Sequence, residues 1–302
     1  MKRELVNELS SVITGGRVAT KEPMSVHTTF KTGGAADVFV EPSNLEELKA
    51  ALKLLKGERF YLIGNGSNLL VSDQGLRGVV LHLAKGFGDI RVEENTIVCG
   101  AAATLAQIAR AAHDHSLSGF EFAAGIPGSL GGAIVMNAGA YDGEMKQVVK
   151  RVTLLGYEGE IVSKSVEEMR FSYRHSLLKE ERFIVLESEI VLKKGDQSAI
   201  REKMDDLAAR RREKQPLEYP SAGSTFKRPE GYFAAKLIQD AGLKGFRVGD
   251  AQVSEKHCGF VVNRGNATSA EIYELIREVQ KRVKESSGVD IETEVICLGE
   301  FY

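Results

Sequence analysis

The sequence lacks the cysteine patterns of a disulfide framework or a zinc site. Its three cysteines, Cys99, Cys258 and Cys297, lie far apart, and none belongs to a CxxC pair. We therefore predict reduced structural thiols and no metal site. The chain also lacks an excess of either charge, because 40 basic and 42 acidic residues leave a formal net charge of -2. Overall charge thus gives no reason to expect nucleic acid or an anionic membrane as a partner.

A long apolar run is missing as well. The N-terminal MKRELVNELSSV has a glutamate and an asparagine where a signal peptide has its apolar core. The uncharged stretch 122–141 contains glycine, proline, serine and asparagine, whereas a transmembrane helix needs roughly 20 mostly bulky apolar residues. We predict a cytoplasmic protein with no membrane partner, and a monomer or weak oligomer.

Two glycine-rich segments are present, but neither matches a standard nucleotide-binding motif. GNGSNLL (64–70) lacks the third glycine of GxGxxG, and GxxxxGK[ST] occurs nowhere in the chain. The second segment is GIPGSLGG (125–132). Glycines allow backbone N–H groups to approach a phosphate without a clash. The two segments therefore either cradle a large planar, phosphate-bearing ligand or form tight turns in buried loops.

Helical patterns begin at three predicted capping boxes and continue with apolar residues at helical spacing. A fourth helix, 197–214, is polar throughout; its arginines are interleaved with acidic residues, which favours a solvated helix face over a nucleic-acid site. A short helix is predicted over 233–241. The three boxes are Ser43 with Glu46, Thr104 with Gln107, and Thr268 with Glu271, whose helix ends at Gly288.

Strand patterns alternate with these helices and indicate an α+β fold. Hairpins are predicted to turn at Glu94-Asn95 and near Glu158-Gly159. A composition change near residue 195 suggests a first domain over 1–195, with lobes of about 1–85 and 86–195, and a smaller α/β domain over 196–302. The remaining predicted strands cover 59–64, 78–83, 183–194, 258–263 and 291–299.

Three polar residues have ordinary structural interpretations from the sequence alone, and two of them, Arg174 and Glu294, also have side chains suited to chemistry. Arg174 has a planar fork suited to a carboxylate, or is a surface arginine. Ser224 lies in a glycine- and proline-flanked loop where a serine is normally a turn residue. Glu294 alternates with apolar residues in a predicted strand, so its carboxylate is expected to be salt-bridged or functional.

Five segments in chain order closely resemble motifs of the UDP-N-acetylenolpyruvoylglucosamine reductase family, in its shorter branch. They are GNGSNLLVSD from 64, GIPGSLGGAIVMNAGAYDGE from 125, FSYRHS at 171–176, GSTFKRP at 223–229 and ETEV at 292–295. The resemblance covers nearly the whole chain. It implies an FAD-binding domain of the vanillyl-alcohol-oxidase/PCMH type, followed by an α/β substrate-binding domain.

The resemblance also implies an activity. NADPH reduces FAD, which then reduces the enolpyruvyl ether of UDP-N-acetylglucosamine to UDP-N-acetylmuramate for peptidoglycan. Arg174 would hold the developing enolate, Ser224 would donate the proton, and Glu294 would act beside Arg174 on the substrate carboxylate. His175 is not singled out by the resemblance, and we expect it to be structural.

Binding residues follow from the same motifs. Lys227 is expected to bind the substrate's carboxylate or pyrophosphate and Tyr232 to stack on uracil. Arg228 stands where relatives commonly have asparagine, so no substrate role is assigned to it. Asp142 is a second departure, at a position where glycine is frequent. The residues expected to contact FAD are Gly64, Asn65, Gly66, Ser67, Asn68, Gly125, Ile126, Pro127, Gly128, Ser129, Gly131, Gly132, Asn137 and Ala138.

Two other functions remain open from the sequence. The same fold would permit a flavin oxidase that reacts with oxygen and takes another substrate. A non-catalytic nucleotide-binding protein is the third reading. Covalent flavin attachment is not expected, because the glycine-rich segments contain neither histidine nor cysteine.

Overall fold

A computed structural model of the chain describes residues 3–301. Over these residues it has seven α-helices and eighteen β-strands. The helices are α1 Arg3–Val12, α2 Leu45–Leu54, α3 Leu105–Asp114, α4 Leu130–Val135, α5 Gln197–Lys214, α6 Ala234–Asp240 and α7 Ser269–Ser287. The strands are β1 Arg17–Pro23, β2 Ala35–Glu41, β3 Phe60–Ile63, β4 Leu69–Val71, β5 Leu76–His82, β6 Ile90–Glu93, β7 Thr96–Gly100, β8 Leu117–Ser118, β9 Gly139–Ala140, β10 Gly143–Glu144, β11 Val149–Gly156, β12 Ile161–Ser165, β13 Phe183–Val191, β14 Lys193–Lys194, β15 Arg247–Val248, β16 Ala251–Val253, β17 Val261–Asn263 and β18 Ile296–Leu298.

The chain divides into two compact units, and neither is continuous in sequence. The first unit comprises the described residues up to Ala19 together with Val38–Asn65 and Gly78–Arg211. The second comprises Thr20–Asp37, Gly66–Arg77 and the described residues from Arg212 onward. The sequence predicts domains that are each one continuous stretch; their functional assignment to FAD and substrate stays a prediction.

The first unit is built around a five-stranded antiparallel sheet of order β12-β11-β13-β7-β6. Strand β3 pairs in parallel with β5, so that Phe60 aligns with Val79 and Ile63 with His82. This β3–β5 pair belongs to a four-stranded sheet of order β1-β2-β5-β3. One continuous apolar core fills the unit and includes the inward faces of α1, α2, α3 and α4.

The second unit has its own apolar core, in which α7 contributes Ile272, Leu275 and Val279. An antiparallel sheet of order β15-β16-β17 packs against this helix. Strand β4 pairs in parallel with β18, and Leu69 aligns with Ile296. No helix within residues 3–301 is both long and apolar enough to cross a membrane.

Two of the three predicted capping boxes are confirmed, at Thr104 with Gln107 and at Thr268 with Glu271. The box predicted at Ser43 and Glu46 is wrong. Asn44 is the N-cap of α2, and its side chain accepts the N–H of Glu47 at 3.0 Å. The Glu47 carboxylate accepts hydrogen bonds from the N–H and hydroxyl of Ser43 rather than from the N–H of Asn44, so α2 has an N-cap but no reciprocal capping box.

Both predicted hairpin turns are confirmed, with Glu94 at φ 54° and Gly159 at φ 97°. The predicted final strand over 291–299 is wrong in length, because only Ile296–Leu298 forms a strand. The residues before this strand pair with a different segment, since Thr293 bridges to Phe226 whereas Ile296 pairs with β4. The alternation of exposed and buried residues therefore does not run through the whole segment.

Candidate active site

The loop 64–68 follows β3 and presents a row of unused backbone donors. The N–H groups of Asn65, Gly66, Ser67 and Asn68 have no hydrogen-bond partner among residues 3–301. Gly66 has φ 60°, and a Cβ added there would lie 1.9 Å from the carbonyl oxygen of His27, so only glycine fits. Successive free N–H groups around a left-handed residue are the arrangement that binds phosphate oxygens. The loop passes from the first unit to the second between Asn65 and Gly66.

The segment 125–132 lies in the first unit and is paired along part of its length. Ser129 forms an antiparallel bridge with Thr104, and the N–H groups of Leu130 and Gly131 donate to Ala103 and Ala101 at 2.8 Å. These two donors are therefore unavailable to a ligand. Within the described chain, three N–H groups of the segment make no protein hydrogen bond, those of Gly125, Ser129 and Gly132.

The remaining residues of this segment have distinct surroundings. The N–H groups of Ile126 and Gly128 are used inside the turn, donating to Ala123 and Ile126. Pro127 and Gly132 are exposed. Gly64 of the first loop lies against this segment, since a Cβ there would meet the Ser129 hydroxyl at 2.5 Å. The two glycine-rich segments thus meet within the first unit, through Gly64 and Ser129.

Arg211, near the end of α5, reaches this segment and was missed as a site residue in the sequence. A Cβ on Gly125 would lie 3.1 Å from its Nη1 atom, so the guanidinium lies beside the loop. Burial lowers the pKa of Arg211, and the nearby Tyr141 opposes that shift. The run of three arginines at 210–212 resembles a solvated face, and no local pattern marks its middle member as different.

Asn137 and Ala138, both expected to contact FAD, use their polar groups inside the protein. The Asn137 side chain is 1% exposed and hydrogen-bonds to Ser172, Glu144 and Lys146. Ala138 donates its N–H to Ala133 and accepts from the N–H of Met145. The contacts of Asn137 connect the glycine-rich segment to the turn that carries Arg174.

Arg174 occupies a tight turn of the first unit, closed by hydrogen bonds in both directions between Ser172 and His175. Its φ of 54° lies in the left-handed region, which at the third position of a turn favours glycine. The guanidinium lies 5.3 Å from the centre of the Tyr173 ring. A bulky residue in this conformation is strained, and such strain occurs preferentially at functional sites. The residues immediately before the turn, 166–171, form no helix.

His175 Nε2 lies 2.9 Å from Oε1 of Glu180, and the structural role expected for His175 stays a prediction. Both residues belong to the first unit. Its imidazole is thereby directed at a surface carboxylate.

In the second unit, the structure brings Ser224 and Glu294 onto adjacent backbone segments. The carbonyl of Thr225, next to Ser224, accepts the N–H of Glu294 at 2.8 Å. Thr225 is fully buried, and its hydroxyl accepts the N–H of Val261 at 2.9 Å. Gly223 on the other side has φ 73°, which only glycine adopts readily. Ser224 is therefore held between a rigid buried residue and a glycine turn.

Glu294 is also connected to the loop 64–68. The Asn68 side chain donates to the carbonyl of Glu294 at 2.9 Å, and the Asn68 carbonyl accepts the N–H of Ile296 at 2.9 Å. Asn68 thus supports the backbone of a predicted catalytic residue, a role that the sequence did not reveal.

Lys227 and Tyr232 lie on the same loop of the second unit as Ser224. Lys227 Nζ forms an ion pair with Glu292 at 2.7 Å, and this hydrogen bond lowers the pKa of Glu292. Tyr232 is 48% exposed, as aromatic side chains available for stacking must be. Arg228 stacks on the Phe233 ring at 4.0 Å and donates to the Tyr232 carbonyl.

The residues present fit FAD, the cofactor that the resemblance implies. In the first unit, the unused N–H groups of Asn65, Gly125, Ser129 and Gly132 could donate to its phosphates. In the second unit, residues 66–68 present a row of unused N–H groups of the same kind. Over residues 3–301, no group of three or more His, Cys, Asp or Glu side chains is placed to hold a metal ion. Separately, the unused backbone N–H groups suit a phosphate-bearing ligand.

Comparison with known proteins agrees with this arrangement. Residues 36–165 match the family described as "FAD binding domain". Residues 215–298 match the family described as "UDP-N-acetylenolpyruvoylglucosamine reductase, C-terminal domain". The α+β class with an FAD-binding domain and a separate C-terminal domain is thereby confirmed.

Similar full-length proteins carry one name. The chain is 51% identical to UDP-N-acetylenolpyruvoylglucosamine reductase of Caldanaerobacter subterraneus subsp. tengcongensis, covering 99% of this chain and 100% of that protein. It is 50% identical to the reductase of Lachnoclostridium phytofermentans, over 99% of both chains. The crystal structure of the reductase from Thermus caldophilus superposes with a TM-score of 0.82 at 34% identity, covering 94% of this chain and 100% of that one. The chain therefore belongs to the UDP-N-acetylenolpyruvoylglucosamine reductase family.

Proposed function

We propose that this protein uses FAD and NADPH to reduce the enolpyruvyl ether of UDP-N-acetylglucosamine to UDP-N-acetylmuramate, a peptidoglycan precursor. The observation that carries the proposal is the hydrogen bond between the Thr225 carbonyl and the Glu294 N–H. In a chain of this family, it places a hydroxyl-bearing and a carboxylate-bearing residue on adjacent segments. When bound, FAD would supply the hydride-transfer chemistry that links NADPH oxidation to reduction of the substrate.

Arg174 is assigned to the substrate carboxylate. As hydride adds to the terminal carbon of the enolpyruvyl group, negative charge develops on the conjugated carboxylate. A guanidinium pairs with a carboxylate through two parallel hydrogen bonds and remains protonated at any physiological pH. Its strained φ of 54° fixes the backbone from which this side chain extends.

Ser224 is assigned to the proton that completes the reduction. Its hydroxyl is a very weak acid and can donate only to a strongly basic carbon, such as the carbon next to the carboxylate after hydride addition. The Gly223 turn and the buried Thr225 fix the backbone from which the Ser224 hydroxyl extends. Glu294, on the adjacent segment, would set the protonation state of the substrate carboxylate together with Arg174.

Substrate binding is assigned to Lys227 and Tyr232. Lys227 would bind the carboxylate or pyrophosphate, and Glu292 must then yield its 2.7 Å contact to the incoming group. Tyr232 would stack on uracil. We assign FAD binding to 1–195 and substrate binding to 196–302, in a cytoplasmic monomer or weak oligomer acting in cell-wall growth and division.

The test follows the flavin absorbance of the purified protein under anaerobic conditions. We expect NADPH to bleach the flavin band and the enolpyruvyl sugar nucleotide then to restore it. Recovery with air but not with the sugar nucleotide would replace the reductase with an oxidase. Protein that binds no flavin, or whose flavin NADPH does not reduce, would instead support a non-catalytic nucleotide-binding role.

A further inference from the structure

Two hydrogen bonds attach the Arg174 turn to the segment that ends α4, one on each side of the arginine. Asn137 Nδ2 donates to the carbonyl of Ser172 at 3.1 Å. The Ser176 hydroxyl donates to the carbonyl of Val135 at 2.7 Å. Asn137 is 1% exposed and Ser176 is fully buried, so water does not compete for either bond.

The orientation of the Asn137 amide is fixed by its partners. Its Oδ1 accepts the N–H of Lys146 at 2.9 Å, and Nδ2 donates its second hydrogen to the Glu144 carboxylate at 2.9 Å. Exchanging the amide oxygen and nitrogen would oppose donor to donor and acceptor to acceptor. Both donors and one acceptor position are therefore used within the protein, which leaves the side chain little capacity for a ligand.

The turn needs such support because its conformation is unfavourable. Arg174 has φ 54°, a left-handed conformation that brings the Cβ of an L-residue too close to the following carbonyl oxygen. The hydrogen bonds between Ser172 and His175 close the turn but would equally close one of another type. Contacts from outside the turn must therefore select this conformation.

We propose that Asn137 and Ser176 are positioning residues that hold the Arg174 turn in its strained conformation, so that the guanidinium is directed at the substrate carboxylate. The proposal rests on the function proposed for Arg174. It differs from the sequence expectation for Asn137, which was contact with FAD. Asn137 itself has φ 45°, a region that asparagine tolerates better than most residues.

The test compares Asn137→Ala, Ser176→Ala and Arg174→Ala with the double variant Asn137→Ala/Arg174→Ala. Stopped-flow absorbance measures flavin reduction by NADPH and reoxidation by the enolpyruvyl sugar nucleotide separately. Titration of the apoprotein measures FAD affinity. Ser188→Ala is the matched control, because it removes an equally buried hydroxyl-to-carbonyl bond, to Arg151 at 2.9 Å, within the five-stranded sheet.

We expect Asn137→Ala to slow reoxidation about 100-fold and Ser176→Ala about 10-fold, since a displacement of about 1 Å has effects of this size. Flavin reduction and FAD affinity should change less than about threefold, in line with a role confined to Arg174. The double variant should be no slower than Arg174→Ala alone, because both changes disable one group. Ser188→Ala should leave both half-reactions at the wild-type rate.

Hydrogen exchange supplies a readout that needs no reaction. Amides of the peptide 171–177 should exchange faster in Asn137→Ala and Ser176→Ala, but not in Ser188→Ala. Unchanged exchange there would overturn the proposal. Multiplicative effects of Asn137→Ala and Arg174→Ala would overturn it too, as would loss of FAD affinity, which would return Asn137 to the cofactor.

If Asn137→Ala does not fold, Ser176→Ala tests the proposal by the same measurements. The double variant Ser176→Ala/Arg174→Ala then replaces the double variant that contains Asn137→Ala. Failure of the proposed function can be distinguished from failure of this positioning proposal, because in the first case the flavin of the wild type itself would not be reoxidised by the sugar nucleotide. The exchange comparison would still report whether the two bonds hold the turn.

Discussion

The side-chain amide of Asn68 donates a hydrogen bond to the backbone carbonyl of Glu294 at 2.9 Å. These residues come from the glycine-rich loop after β3 and from the segment before β18. Within the second unit, the loop with unused N–H groups and the segment with a predicted catalytic carboxylate therefore support each other. Substitution of Asn68 should therefore loosen the backbone at Glu294.

Asn68→Ala should loosen the segment around Glu294. Loss of one hydrogen bond to a partly buried carbonyl costs about 1 kcal/mol, so amides of the peptide 292–298 should exchange faster in the apoprotein. Asn65→Ala is the control, since Asn65 is exposed and its side chain makes no hydrogen bond within residues 3–301. Equal exchange in the two variants would mean that the Asn68 bond does not stabilise this segment.

Ser224→Ala should separate the two half-reactions. Flavin reduction by NADPH should stay within about threefold of the wild type, whereas reoxidation by the enolpyruvyl sugar nucleotide should slow by about 100-fold or more, the usual contribution of a positioned acid. Ser221→Ala is the control, because within residues 3–301 Ser221 is paired through its backbone, with Val262, and its side chain makes no hydrogen bond. An equal fall in both half-reactions would contradict proton donation by Ser224.

Glu294→Gln should show the same asymmetry, with reoxidation reduced by about 100-fold, because an amide cannot exchange the proton that a carboxyl can. Glu285, an exposed glutamate near the end of α7 to which no binding role is assigned, provides Glu285→Gln as the control. Unaltered turnover in Glu294→Gln would make Glu294 a structural carboxylate. Stopped-flow absorbance under anaerobic conditions measures both variants.

Glu47→Gln should destabilise the first unit near neutral pH. Burial by itself would raise the pKa of Glu47, but hydrogen bonds from Ser43, Gly15 and Thr14 outweigh it and lower the pKa from 4.5 to about 2. Replacing this charged acceptor should lower the free energy of unfolding by about 2 kcal/mol at pH 7. Urea unfolding followed by circular dichroism measures the difference.

The same comparison has a defined pH dependence. A carboxylate with a lowered folded-state pKa stabilises the protein fully above pH 4.5, and this stabilisation is lost as the pH falls towards about 2. The difference between wild type and Glu47→Gln should therefore shrink between these values. Glu46→Gln, whose carboxylate is 85% exposed, should match the wild type at every pH. A difference that stayed constant with pH would exclude ionisation of Glu47 as its source.

Asp142→Gly should stabilise the protein by about 0.5 kcal/mol, the gain from relieving a left-handed residue less the entropy that glycine adds to the unfolded chain. Tyr141 and Asp142 form the two-residue turn between β9 and β10, with φ 51° and 66°. Such a turn requires positive φ at both positions and favours glycine at the second. The midpoint of thermal unfolding should rise slightly; a fall would show that the Asp142 side chain stabilises the turn.

Local signals in the sequence were sufficient to predict elements whose hydrogen-bonding partners lie within a few residues in the chain. Thr104 with Gln107 and the turn at Glu94 depend on atoms within three residues, and both were predicted correctly. The N-cap of α2 was misplaced by one residue because Ser43 and Asn44 are both favourable N-cap residues, each followed by a glutamate three positions later. The sequence also did not show that the Glu47 carboxylate binds the N–H groups of Thr14 and Gly15, more than thirty residues away. A capping pattern carries no information about such distant donors.

The site shows the same limit. Glycines at 64, 66 and 125–132 indicate where backbone donors can lie free, yet which of them are free depends on pairing with Ala101 and Ala103. The bonds from Asn137 to Ser172 and from Asn68 to Glu294 join residues that no periodicity connects. Resemblance to a family supplied candidate roles for Arg174, Ser224 and Glu294. It did not identify the residues whose hydrogen bonds hold their backbone segments in place.

The discontinuous second unit also sets an order of events during synthesis of the chain. Strand β4 pairs with β18, and more than two hundred residues lie between Leu69 and Ile296. At about 5–20 residues per second, the ribosome needs about 10 to 45 seconds to make that intervening stretch. Throughout this interval β4 has no partner strand, while most of the first unit can already collapse on its own core. A nascent chain released before Ile296 would leave the edge of β4 open to pairing with another chain, which makes premature termination an aggregation hazard.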